Sequence, residues 1–149
     1  MKRELVVHGK DLALPKNLHR HLEVVLDSFS LRTDINRLSV NFRDTSYYHR
    51  REGLHPIEMR FERDDINRHI WKLVFIASFS YPDEHSPNVA PELYFNFNFK
   101  RGWFYQPDIQ GCELARPQVI DLFTSWALAF CRQLRNQHFD DISANEIRT

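Results

Sequence analysis

The chain has 149 residues, 42% of them apolar and twelve of them Phe. A chain of this length is expected to form one domain, 1–149, burying roughly 70% of its unfolded surface without staples. Acidic and basic residues balance at twenty each and glycines number four. The balance removes a bulk electrostatic pull toward nucleic acid or anionic membrane, and the scarcity of Gly argues against a phosphate-cradling loop, a collagen-like repeat or a flexible linker.

The N-terminal stretch MKRELVVHGKDLALP has no long apolar run, so it is expected to be neither signal peptide nor anchor. No uninterrupted apolar window of about 18 residues occurs, which predicts a chain with no membrane partner. Leu5-Val6-Val7 reads as a short edge strand or arm. Leu18, Leu22, Val25 and Phe29 then follow a helical spacing, and Pro15 suits a first helical turn.

From there the period changes to two. Leu38, Val40 and Phe42 alternate with Ser39, Asn41 and Arg43, and Ile57, Met59 and Phe61 alternate with Glu58, Arg60 and Glu62. Such alternation marks antiparallel strands with one covered face. Asp64-Asp65-Ile66-Asn67 reads as a turn. In HIWKLVFIASFSY, Trp71, Leu73, Phe75, Ala77 and Phe79 form one face while Val74 and Ile76 make the other apolar too. This predicts a central strand buried on both sides, with a helix over the second face.

PELYFNFNFKRGWFY poses a sharper choice. Leu93, Phe95, Phe97 and Phe99 are either a stacking platform or the inner face of a strand. Burying four such side chains is worth roughly 6–12 kcal/mol, most of which a wet platform forfeits. The inward reading follows, with Lys100-Arg101-Gly102 as a turn and Trp103-Phe104-Tyr105 as the returning strand before Pro107. The chain closes with a helical stripe of Val119, Phe123, Trp126, Phe130 and Leu134, widened by Ile120, Ala127 and Cys131, opened by Pro117 and followed by Arg132 and Arg135. The expected fold is α+β: a twisted antiparallel sheet of about five to seven strands packed against an N-terminal and a C-terminal helix.

Chemical motifs are sparse. Cys112 and Cys131 form no CxxC pair, and Cys131 falls in the helical stripe as a small buried residue, consistent with a reducing cytoplasm. The eight His are scattered; His19 and Glu23 share a helix face, but two donors are too few for a metal site. No GxSxG elbow exists. Glu58 and Glu62 lie about 13–14 Å apart along one strand, beyond the roughly 5–9.5 Å of glycosidase carboxylate pairs. Neither a cofactor, a metal site nor a catalytic residue is therefore assigned. Arg101 to Tyr105 superficially matches an RNA-recognition strand, but Phe104, Pro107 and Asp108 break the pattern.

The segment DTSYYHRREGLHP, Asp44 to Pro56, reads as an inter-strand loop. Its Tyr47, Tyr48, His49, Arg50 and Arg51, with Arg43 and Arg60 nearby, form the candidate interaction surface, since Tyr and Arg concentrate interface energy. Aromatics with Arg also suit stacking on bases, and the bland alternative is tyrosines packed back on the sheet.

The runs NFRDTSYYHRREGLHPIEMRFER, IWKLVFIASFSYPD, ELYFNFNFKRGWFYQ and LFTSWALAFCRQL resemble a gamma-proteobacterial domain-of-unknown-function family, number 2787, over about two-thirds of the chain. The strongest elements are Asn41-Phe42-Arg43-Asp44, His55-Pro56 before Glu58, and Phe79-Ser80-Tyr81. That family is similar in architecture to the mitochondrial matrix acidic protein that binds complement globular heads, which implies a twisted antiparallel sheet with terminal helices. The mitochondrial protein forms ring-shaped trimers and is strongly acidic, whereas this chain is neutral. The resemblance carries over no catalytic residues. The leading expectation, resting on the Tyr47–Arg51 segment, is a non-enzymatic module that binds another protein and self-associates, set against a nucleic-acid accessory protein using 44–56 and an enzyme with a pocket between sheet and helices.

Overall fold

The structure is a computed structural model describing residues 2–7, 13–98, 102–107 and 109–147, residues 109 and 110 by their backbone. In chain order the elements are β1 (Glu4–Val6), α1 (Lys16–Asp27), β2 (Arg37–Arg43), α2 (Thr45–Arg50), β3 (Ile57–Arg63) and β4 (Ile70–Ser80). They continue with β5 (Ala90–Asn96), β6 (Trp103–Gln106), β7 (Ile109–Cys112), α3 (Pro117–Arg135) and β8 (Asp141–Ile147). The fold is α+β, but the sheet has eight strands among the described residues, more than the five to seven expected. Seven run in the order β7-β6-β5-β4-β3-β2-β8, all antiparallel, and β1 joins β4 in parallel with Leu5 opposite Trp71.

Helix α1 buries Leu18, Leu22 and Leu26, an i, i+4, i+8 stripe. Val25 is only partly buried at the margin of that stripe, and Phe29, also partly buried, lies beyond the helix end at Asp27. Its C-terminus is held by Arg3, whose guanidinium donates to the carbonyls of Leu26 and Phe29. A cation there offsets the orphan carbonyls of the last turn. Glu23 accepts from the Leu5 amide at 2.9 Å, so the same helix pins β1 against the sheet.

The expected two-sided burial of β4 has a different cause. Arg60 pairs with Phe75 and Phe61 with Leu73, which leaves Val74 as an extra residue between them. A bulge of this kind flips the side-chain phase. Trp71 and Leu73 before it, and Ile76 and Ser78 after it, therefore point to one side, while Phe75 and Ala77 share the other with Arg60 and Glu58. No second helix layer is needed: α1 and α3 both pack on the face carrying Leu38, Val40, Phe42, Ile57, Met59 and Phe61.

Phe95 and Phe97 point into that core, at 1% and 2% exposure, with Leu93 partly buried. Phe99, Lys100 and Arg101 lie outside the described residues. Phe104 on β6 faces the core while Trp103 and Tyr105 face away. Helix α3 closes the core: Phe123 lies 5.0 Å from Phe95 and 5.4 Å from Phe97, and Phe130 lies 5.1 Å from Phe42. The Asp64 turn forms as expected, its Oδ2 accepting from the amides of Ile66 and Asn67 at 3.0 and 2.6 Å. Strands β7 and β8 and helix α2 were not anticipated.

Candidate interaction surface

The segment between β2 and β3 is a helix, not an open loop. Asp44 caps α2: Oδ1 accepts from the Ser46 amide at 3.1 Å and from the Ser46 hydroxyl at 2.6 Å. Its Oδ2 accepts from the Leu54 amide at 3.1 Å, closing the segment on itself. The Ser46 hydroxyl, then the Leu54 and Ser46 amides, hold the Asp44 carboxyl below the usual carboxylate range against the opposing effect of burial. Asp140 grips the first turn from the other side, accepting from the Thr45 amide at 2.9 Å and from its hydroxyl. The Thr45 hydroxyl, then its amide, lowers the Asp140 pKa.

The helix ends at Arg51 in the left-handed conformation, φ 56°, with its amide donating to the Tyr47 carbonyl. The Arg51 guanidinium lies 3.7 Å from the centre of the Tyr81 ring and donates to the carbonyls of Asp83 and Ser86. Tyr47 is 5% exposed, stacked on Tyr81 at 5.5 Å and set against His55 at 4.9 Å. Its hydroxyl accepts from the Tyr81 amide at 3.2 Å. His55 Nδ1 meets Glu92 Oε2 at 2.8 Å, and the Ser78 hydroxyl donates to the same oxygen at 3.2 Å. Serine and imidazole thus share the carboxylate and are not bonded to each other, which is not the nucleophile–base–acid order of a catalytic triad.

The seven sequence-derived candidates therefore separate. Tyr47 and Arg51 are used inside the fold. Tyr48, His49 and Arg50 remain exposed on α2. Arg43 pairs with Asp141 at 3.6 Å. Arg60 lies on the sheet face that no helix among the described residues covers, donating to Glu58 at 3.1 Å and 5.2 Å from the centre of the Phe75 ring.

That uncovered face holds residues the sequence reading passed over. Phe75 and Tyr94 are 5.3 Å apart, and Asn96 donates to the Tyr94 hydroxyl at 2.7 Å. Tyr105 stands opposite Tyr94, and Trp103 opposite Asn96, at 43% and 42% exposure. A Cβ at Gly111 on β7 would fall 2.6 Å from the Trp103 indole, so the missing side chain makes room for that ring. The outward positions were legible from the alternation; what went unused was that three of them are Tyr, Trp and Tyr. Around the patch, Glu62 pairs with Lys72 at 3.7 Å and Arg37 at 3.8 Å, and Ser39 donates to Glu58 at 2.7 Å.

His19 and Glu23 do meet, at 3.3 Å. Among the described residues no group of three His, Cys, Asp or Glu is placed to hold a metal ion. No helix among them is long and apolar enough to cross a membrane.

Residues 16–145 match the family described as "Protein of unknown function (DUF2787)". No curated protein matches the chain. Among solved structures, a hypothetical protein from the VSP-II pathogenicity island of Vibrio cholerae is similar at TM-score 0.80 and 23% identity, covering 97% of this chain and 100% of its own. A second hypothetical protein, from pathogenicity island VPI-2 of Vibrio cholerae, is similar at TM-score 0.73 and 24% identity, covering 94% and 98%. That structure is described as sharing structural homology with the human P32 protein. At these identities the likeness is one of fold.

Proposed function

The chain belongs to the DUF2787 family, and from that premise we propose that it is a non-enzymatic module that captures another protein on the uncovered face of its sheet. One observation carries the reading. Helices α1 and α3 cover one face, while the other keeps Trp103 and Tyr105 about two-fifths exposed beside Tyr94, Phe75 and Arg60. Trp, Tyr and Arg dominate interface energy, and rigid aromatics lose little conformational freedom on binding. Charges of both signs rim the patch, which suits a protein partner better than a phosphate backbone. The likeness of a fold neighbour to human P32 agrees with the resemblance to a mitochondrial binding protein drawn from the sequence. A cytoplasmic location belongs to the same proposal, supported by the two cysteines being free thiols.

A second contact patch has its own support. Tyr48, His49 and Arg50 sit on a helix fixed by Asp44, Asp140 and Arg51 before any partner arrives. The nucleic-acid alternative is weaker here: Arg43 and Arg60 are paired with carboxylates and Arg51 with carbonyls, leaving Arg50 of the four. The test compares cross-linked partner capture by the wild type, Trp103→Ala with Tyr105→Ala, and Tyr48→Ala with Arg50→Ala. Loss of a partner in the first pair, at unchanged melting temperature, supports the sheet face. Loss only in the second moves the site to α2. Capture unchanged in both, or binding confined to single-stranded nucleic acid and steeply salt-dependent, overturns the proposal.

A further inference from the structure

The two edges of the sheet are built differently. Strand β7 is four residues long, follows Pro107, and loses register with β6 between Phe104 and Gln106. Short, irregular edges resist pairing with other chains. Strand β8 has none of that protection. It keeps continuous register with β2 over seven residues, and its sequence, Asp-Ile-Ser-Ala-Asn-Glu-Ile, contains no Pro, Lys or Arg. Among the described residues no strand pairs with its outer edge, and only the segment before β2 reaches it, the Arg32 amide donating to the Glu146 carboxylate at 2.9 Å.

We infer that the occupant is β8 of a second copy, paired antiparallel about a two-fold axis through Ala144. This inference does not depend on the partner-binding reading above. In that register Ala144 faces its own counterpart, Ser143 faces Asn145, Ile142 faces Glu146 and Asp141 faces Ile147. No carboxylate stands opposite another, and the acidic residues lie on opposite faces: Asp141 shares the open face with Ser143 and Asn145, and Glu146 shares the helix side with Ala144 and Ile142. The centre is small and the flanking pair, Ser with Asn, is hydrogen-bond competent.

A second feature points to the same register. An open groove of about 500 Å³ runs along β8, lined by Phe29, Ser30, Leu31, Ala144, Asn145 and Glu146. Ile142 is 38% exposed in the single chain. Pairing through Ala144 sets the Ile142 of one copy beside Glu146 and diagonal to Ala144 of the other, at this groove. The two-fold makes two such seats. Because both β8 edges are consumed, the assembly closes as a dimer and does not extend as a fibre.

The test uses the full chain in sedimentation velocity from micromolar to near-millimolar concentration. The wild type is expected to dimerise. Ser143→Lys with Asn145→Lys places like charges directly opposite across the axis, on the open face and away from the core, and is expected to be monomeric with the circular dichroism of the folded wild type and a melting temperature that no longer rises with concentration. Ser143→Glu with Asn145→Glu behaves the same alone, and an equimolar mixture of the two variants restores the dimer. Ala144→Cys checks the register: directly opposed Cα atoms lie about 4.5–5.5 Å apart, within the roughly 4.4–6.8 Å that a disulfide spans. Mild oxidation therefore links two copies through position 144. A wild type monomeric throughout, a Lys variant as dimeric as the wild type, a mixture that stays monomeric, or a monomer that takes up only a foreign extended peptide overturns the inference. Dimerisation surviving Trp103→Ala with Tyr105→Ala separates this edge from the sheet face.

Discussion

Truncating Phe95 tests which way the Phe-rich strand faces. The ring is 1% exposed and lies 5.0 Å from Phe123, 5.4 Å from Phe104 and 5.9 Å from Trp126, so it joins β5, β6 and α3 at one point. Phe95→Ala removes those contacts and leaves a cavity beneath a helix that cannot fully collapse into it. Losses of this kind run about 3–5 kcal/mol. At roughly 2–4 °C per kcal/mol for a chain of this size, the melting temperature falls by about 6–20 °C. Tyr105→Ala supplies the contrast: that side chain is 43% exposed on the opposite face, and surface truncations usually stay within about 0.5 kcal/mol. Thermal melts followed by circular dichroism, with urea midpoints, measure both. Equal shifts, or a small shift for Phe95→Ala, refute the inward orientation and the placement of α3 over it.

Three further outcomes follow from particular sites. Gly102 has φ 70°, and a Cβ there would stand 2.6 Å from the Leu114 Cβ; Gly102→Ala is expected to lose about 2–4 kcal/mol in urea unfolding, from left-handed strain plus overpacking. Asp44 and Asp140 have lowered folded pKa values, so the stability they lend α2 is complete above the unfolded carboxylate range near pH 4 and disappears as pH falls through the folded values. Amide protection, corrected for the slower intrinsic exchange in acid, should therefore fall in α2 before α3 on acidification, and simultaneous loss would count against the capping account. Burial pushes the Cys131 thiol up while Arg135 opposes it weakly, and Cys112 is partly exposed. One thiol should react quickly with a disulfide reagent in the native protein and the second only on unfolding.

Where side chains alternate without interruption, the sequence was enough. Leu38, Val40, Phe42, Ile57, Met59 and Phe61 all face the core as their spacing demands. Pattern and structure part where a local event resets the phase or where the apolar signal is weak. The bulge at Val74 shifts alternation by one residue, and one-residue slips exchange the faces of a strand. Unbroken alternation would set Phe75 on the face of Trp71 and require a second covering layer; the bulge removes both. Strand β8 has one Ile and one Ala on its covered side, too little apolar signal to separate from a polar tail; its pairing with β2 defines it. Helix α2 is six residues long, below the length at which periodicity speaks, although Asp44 with Ser46 was a readable cap.

The strongest sequence elements turn out to share a structural task. Phe42 is buried in the core and Asp44 caps α2. The Phe79 amide donates to the Pro56 carbonyl at 2.9 Å, and the Tyr81 amide donates to the Tyr47 hydroxyl. His55 is held by Glu92, and Arg51 covers Tyr81. Elements far apart in sequence therefore meet at one corner, where the ends of β2, β3, β4 and β5 are tied to α2. Polar residues engaged in this way hold a joint between the sheet and α2. Tyr47→Phe isolates the point, because it removes the acceptor for the part-buried Tyr81 amide and keeps the ring. An unmade hydrogen bond of this kind costs about 1–3 kcal/mol. If the corner is a joint, that loss appears in the urea midpoint while partner capture on the sheet face is unchanged under native conditions. Loss of capture at full native stability would instead make the corner itself the binding site.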